Sequence, residues 1–121
     1  MVEADRSIVL DKSELLERLG GDTDLLQEVA ALFLEDCPKL MSNIQGAIRA
    51  RDAFGLERAA HALKGSVSNF GPTSAYDAAY SLEKLGRAGE LDGALTACLT
   101  LEEEIDRFQQ ALTRLAAEVR N

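Results

Sequence analysis

Apolar residues recur at helical spacing along almost the whole chain, with polar residues filling the opposite side of each run. Leu15, Leu16 and Leu19 mark a short first helix, with Asp11 placed to cap it and Gly20-Gly21 to end it. A longer helix follows, capped by Asp22 or Thr23, its stripe running Leu25, Val29, Leu32, Phe33, Cys37, Leu40, Ile44 and Ile48. Pro38 interrupts this run without shifting its phase, which predicts one kinked helix and not two. After a turn at Arg51 and Asp52, the residues Leu56, Ala60, Leu63, Val67 and Phe70 set the buried face of a third segment, ending near Phe70 and Gly71. Pro72 suits the first turn of the next helix, which buries Ala75, Ala79, Leu82 and Leu85 and stops in Gly86-Arg87-Ala88-Gly89. A last helix runs from about Leu91 to Val119. Short loops make sequence neighbours antiparallel. The expected fold is therefore all-α: an up-and-down four-helix bundle with a short extra N-terminal helix, built from residues 11–121 behind a tail or linker at 1–10.

The last helix admits a second use. Leu91, Cys98, Ile105, Leu112 and Val119 recur every seventh position, with Ala94, Leu101, Phe108 and Leu115 between them. Such a seam pairs two chains in a coiled coil, and would make the protein a helical adaptor. Helices inside one bundle pack with the same periodicity, and the other helices of this chain also need a partner surface, which favours the bundle.

The single histidine, His61, falls on the wrong side of its helix for a core residue. At about 100° per residue it lies roughly 140° from the centre of the Leu56-to-Phe70 stripe, so it faces solvent. Lys64 and Gly65 follow one turn later and Glu57 precedes it by one turn. A mid-helix glycine costs about 1 kcal/mol relative to alanine, and one facing solvent makes sense where another protein must approach closely. Lys64 can offset the charge of a group attached to the imidazole. Glu57 can accept the proton of one ring nitrogen, leaving the other as nucleophile.

Composition narrows the chemistry. Aromatic residues make up only 5% of the 121 and there are two prolines, so little is available to build strands. A net charge of −8 argues against nucleic acid as a partner. No apolar run approaches the ~20 residues of a membrane span, and the N-terminus lacks an apolar signal core, which predicts a cytoplasmic chain without membrane insertion. Cys37 and Cys98 fall on apolar stripes and read as reduced core thiols. Cys37, Cys98 and His61 sit on three separate helical stripes, which offers zinc no ligand set, and no Gly-rich phosphate loop of the GxxxxGK or GxGxxG type occurs. A Ser-His-Asp hydrolase would lack an oxyanion site, and Ser66 and Ser68 read as helix-face residues. The chain thus offers a nucleophilic histidine but nothing to bind ATP. A phosphoryl group has to arrive from another protein.

The stretch His61-Ala-Leu-Lys-Gly-Ser-Val-Ser-Asn-Phe-Gly71 resembles the HxLKGSxxxxG signature of histidine-containing phosphotransfer (HPt) domains. Leu82-Glu83 and Gly86-Arg87 resemble the family's continuation, and Phe33-Leu-Glu-Asp-Cys-Pro38 its second helix, so the likeness extends from about Asp11 to Ala117. Pro72 and Ala75 depart from the family pattern in packing positions, and the HExxTP box of dimeric histidine-kinase cores is absent. The resemblance implies a phosphorelay monomer, free or cut from a hybrid sensor kinase, in which His61 takes a phosphoryl group from a receiver-domain aspartate and passes it to another receiver. It implies Lys64 as support for the phosphoryl group and Gly65 as room for the partner. Glu57, Ser68, Leu15 and Leu19 complete the expected orienting and docking set. Response-regulator receiver domains, and behind them a sensor histidine kinase, are the implied partners; no cofactor is expected on this chain, and Mg²⁺ is expected on the receiver. The first domain of chemotaxis kinases carries a similar signature and stands as an alternative.

Overall fold

The computed structural model describes residues 10–120, and within them every regular element is helical. Residues 1–9, nearly all of the expected tail, lie outside the described residues. A short helix α1 (Lys12–Arg18) precedes four long ones: α2 (Thr23–Arg49), α3 (Ala53–Ser68), α4 (Ser74–Ala88) and α5 (Ala94–Arg120). A 3₁₀ turn, Leu91–Gly93, leads into α5. Asp11, Asp22 and Asp52 each accept a hydrogen bond from a backbone N–H in the first turn of α1, α2 and α3, and Thr73 does the same for α4. Gly89 closes α4 in the left-handed region, at φ +72°.

Contacts fix the topology. Gln27 donates to the Ala116 carbonyl and Gln45 to Glu102, so α2 and α5 run antiparallel. Arg87 donates to Glu57 while Glu83 accepts from His61, so α3 and α4 do too. The core carries Leu26, Ile44, Leu56, Leu63, Val67, Leu82, Leu101 and Leu112, all fully buried. Phe33, Phe70 and Phe108 meet edge to face, with ring centroids 5.1–5.9 Å apart, and tie α2, the end of α3 and α5 together. Cys37 and Cys98 are free and buried. Burial raises both thiols, that of Cys98 to about 11 with help from the Glu102 carboxylate, which keeps them weakly reactive.

Several expectations hold and several need correction. α2 passes through Pro38 as one helix, and α3 buries Leu56, Ala60, Leu63, Val67 and then Phe70 as its spacing predicts. The inner face of α2 is instead Leu26, Ala30, Phe33, Cys37, Met41, Ile44 and Ala47. Leu25 and Leu32 are exposed, and Val29, Leu40 and Ile48 lie at the boundary. Apolar residues cover more than half of this helix, and the close approach of neighbours selects small residues such as Ala30 and Ala47 over bulkier ones. Pro72 stands ahead of the cap Thr73, not in the first turn of α4. Leu85 is only half-buried, and Gly86 lies inside α4, fully packed, so the stop is Gly89 alone. Most of the heptad seam of the last helix is covered within the chain: Ala94, Cys98, Leu101, Ile105, Phe108, Leu112 and Leu115 are core residues, and Leu91 and Val119 at its ends are half-buried against the core. The surface that motivated an adaptor is already occupied.

Candidate functional site

His61 projects from the middle of α3 with 66% of its side chain exposed. Its Nδ1 lies 2.9 Å from Oε2 of Glu83 on α4, and that carboxylate is only 3% exposed. Three cationic or donor groups converge on Glu83. Lys64 Nζ approaches Oε1 at 2.8 Å, and Arg87 Nη2 donates to Oε2 at 2.8 Å. Burial alone would push the Glu83 carboxyl up, but hydrogen bonds from Lys64 and His61, and their charges, outweigh it and hold the group below the ordinary glutamate range. An ionised carboxylate only accepts. The Nδ1 of a neutral His61 must therefore carry the proton, which leaves Nε2 with its lone pair free.

Lys64 is only 17% exposed and lies over the faces of Tyr80 and Tyr76, 4.7 and 5.9 Å from the ring centroids. The hydrogen bond to Glu83 raises its pKa, against an opposing loss of solvent. Arg87 is likewise raised, first by the hydrogen bond its Nε donates to Glu57 at 2.9 Å. These residues come together because α4 can lie against α3 at Gly86. A Cβ there would stand 2.6 Å from the Glu57 nitrogen and 2.8 Å from the Ala53 carbonyl oxygen, both backbone atoms. At Gly65 the result is the opposite: a Cβ would meet nothing within 4 Å. Its missing side chain serves no packing inside the domain.

The expected site residues divide clearly. His61 and Gly65 share the exposed face of α3 as their spacing requires, whereas Lys64 is half-buried and turned towards α4, away from the shared exposed patch that the spacing predicts. Glu57 does not orient the imidazole; it is engaged by Arg87, and Glu83 takes the role. Ser68 donates to the Gly65 carbonyl at 2.6 Å and lies on the helix face. Leu15 is buried in the core and so offers a partner no surface, and Leu19 packs half-buried against it. Glu83 lies at the edge of the Ala75–Ala79–Leu82 face, and only the closeness of α3 turns that edge inward and gives it its role. The local signals are Arg87 four residues on and the family-like pairs Leu82-Glu83 and Gly86-Arg87.

A family model described as the Hpt domain matches residues 28–111, which include the whole cluster. The chain belongs to the Hpt domain family. Among curated proteins, this Hpt chain is 30% identical over 95 residues to histidine-containing phosphotransfer protein 2 of Arabidopsis thaliana, covering 76% of the chain and 58% of that protein. It is 28% identical over 102 residues to histidine-containing phosphotransfer protein 4 of the same plant, covering 80% of each. It thus spans less than two thirds of the first relative's length. No solved structure gives a significant match to this Hpt sequence. Among the described residues, no helix is long and apolar enough to cross a membrane.

Proposed function

We propose that this chain is a phosphorelay intermediate in which His61 Nε2 accepts a phosphoryl group from a receiver-domain aspartyl phosphate and returns it to the aspartate of another receiver. Membership of the Hpt family and the likeness to two histidine-containing phosphotransfer proteins support a phosphotransfer role. The observation that carries the finer reading is the bond from Nδ1 of an exposed histidine to a buried carboxylate, which fixes ring and tautomer with Nε2 outward. In the transfer the Nε2 lone pair forms the N–P bond, the P–O bond to the aspartate breaks, and its electron pair stays on the carboxylate. The Nδ1 proton remains against Glu83, so no proton has to leave. Glu83 thereby stabilises the positive charge that builds on the ring.

The roles of the neighbours follow. Lys64 keeps a positive charge at the cluster and keeps Glu83 ionised, and Gly65 opens the approach for the receiver. The receiver supplies Mg²⁺ and most of the charge stabilisation at the aspartyl side, while this chain supplies position. It is a carrier without a nucleotide site or kinase activity of its own. The test is direct incubation. With ATP and Mg²⁺ alone the chain should gain no phosphate. With a panel of phosphorylated receiver domains it should gain one acid-labile phosphoryl group, and His61→Gln none. Equal labelling of His61→Gln, or no labelling of the parent by any receiver, overturns the proposal.

A further inference from the structure

Beside His61 lies an open cleft of about 550 Å³, lined by Phe54, Glu57, Arg58, His61, Ala62, Glu83 and Arg87. Its charges are unequally committed. Lys64, next to the cleft, is bound to Glu83, and Arg87 is bound to both Glu57 and Glu83. These two cations and two carboxylates cancel. Drawing Lys64 or Arg87 away to serve an incoming anion would leave the buried Glu83 carboxylate one cation short. Arg58 is different. It is exposed, has no carboxylate partner among the described residues, and rests on the ring of Phe54 with 5.4 Å from Cζ to the centroid.

A phosphoryl group on His61 brings roughly two negative charges into this balanced cluster. A helical side chain leans back over the turn that precedes it, so the outward Nε2 of His61 overhangs the level of Glu57 and Arg58. Arg58 stands at i−3 on the same exposed face. Ala62, four residues beyond Arg58, presents only a methyl group and leaves the guanidinium free to swing from the Phe54 ring towards His61. A guanidinium also presents paired N–H donors that match two phosphoryl oxygens.

Resting on the phosphocarrier reading above, we infer that Arg58 is a second phosphoryl-binding cation of this domain, beside Lys64: it is parked on Phe54 in the unphosphorylated state and clamps the phosphoryl oxygens once His61 is charged. The expectation is specific to the charged state. In the resting state Arg58 holds nothing but an exposed ring, so Arg58→Gln should fold and melt like the parent.

The experiment is phosphoryl partition at equilibrium between this chain and a receiver domain charged with acetyl phosphate. The parent is compared with Arg58→Gln, Arg58→Lys and, as an equal loss of charge far from the site, Arg114→Gln. Arg58→Gln should shift the partition towards the receiver by about two- to fivefold, the worth of one exposed charge-assisted contact, with Arg58→Lys recovering part of it. The ³¹P resonance of the isolated phosphorylated protein should titrate at higher pH in Arg58→Gln than in the parent, a change that a purely structural role would not produce. Partition and titration unaltered in Arg58→Gln, or shifted as much by Arg114→Gln, overturn the inference while leaving the phosphocarrier intact. A parent that no receiver phosphorylates overturns both.

Discussion

Replacing Gly86 with alanine should loosen the bundle at the level of its functional cluster. The new methyl would stand 2.6 Å from the Glu57 nitrogen, 2.8 Å from the Ala53 oxygen and 2.9 Å from the Glu57 Cα. Comfortable carbon contacts begin near 3.5 Å, so the two backbones must part by about 0.6–1 Å. No flexible side chain is available to move instead. Overpacking of this kind costs about 1–3 kcal/mol, and the rigidity of backbone puts this site in the upper half. Alanine returns about 1 kcal/mol through its better helix propensity. The net is a loss of roughly 1–2 kcal/mol, or about 4–10 °C in melting temperature for a chain of this size. Urea unfolding followed by circular dichroism measures it, with Gly65→Ala as the control. That site is open, so the same substitution there should stabilise by up to about 1 kcal/mol. If Gly86→Ala were as stable as the parent, α3 and α4 would not touch at Gly86, and the account of how Glu83 becomes buried would be wrong.

Other consequences can be checked with the same preparations. Gly65→Gln should leave the fold intact and raise stability by up to about 1 kcal/mol, yet slow transfer from a receiver; a strong loss of stability with transfer per folded molecule unchanged would mean that the glycine is a packing device. Lys64→Ala should still accept phosphate on His61 but roughly tenfold more slowly, because Glu83 loses a charged partner; an unaltered rate across several salt concentrations would leave the lysine a structural ion pair only. The Glu83 carboxyl is held below its ordinary range in the folded state, so its contribution is present above the unfolded value of about 4.3 and lost as pH falls through the folded one. Urea midpoints should drop in that acid window, and less steeply in Glu83→Gln; identical acid profiles would show that Glu83 is not held ionised.

Much of this protein was legible from spacing alone. The solvent-facing placement of His61 follows from five apolar residues at 56, 60, 63, 67 and 70, and a periodic stripe that clear leaves a helix little rotational freedom. The cap at Asp11, and that at Asp22 as one of two neighbouring candidates, were readable because each aspartate stands a few residues ahead of an apolar run; the cap at Asp52 lies in what the pattern marks only as a turn. α2 was harder. Its leucines surround most of the helix, and which of them turn inward depends on how closely α3 and α5 approach. Glu83 and Gly86 were illegible for a related reason. A glutamate becomes buried, and a glycine becomes a point of contact and not a terminator, only through a second helix that no local pattern specifies. Sequence proximity offers Glu57 to the imidazole, whereas the bond crosses between helices to Glu83.

The cluster lies wholly within one helical hairpin: His61 and Glu83 are separated by 22 positions, and Glu57, Lys64, Tyr76, Tyr80, Gly86 and Arg87 fall between the start of α3 and the end of α4. Contacts so near in sequence close early, when a folding chain has surrendered little loop entropy. The chemistry should thus be encoded in the part of the molecule that assembles first, with α2 and α5 arriving as walls. Amide hydrogen exchange should then separate the two: weakening the contact of α5 with the core, by Phe108→Leu for example, should speed exchange in α2 and α5 far more than along α3 and α4. Variation in the outer helices would change how much of the protein is folded without redefining what a folded molecule does.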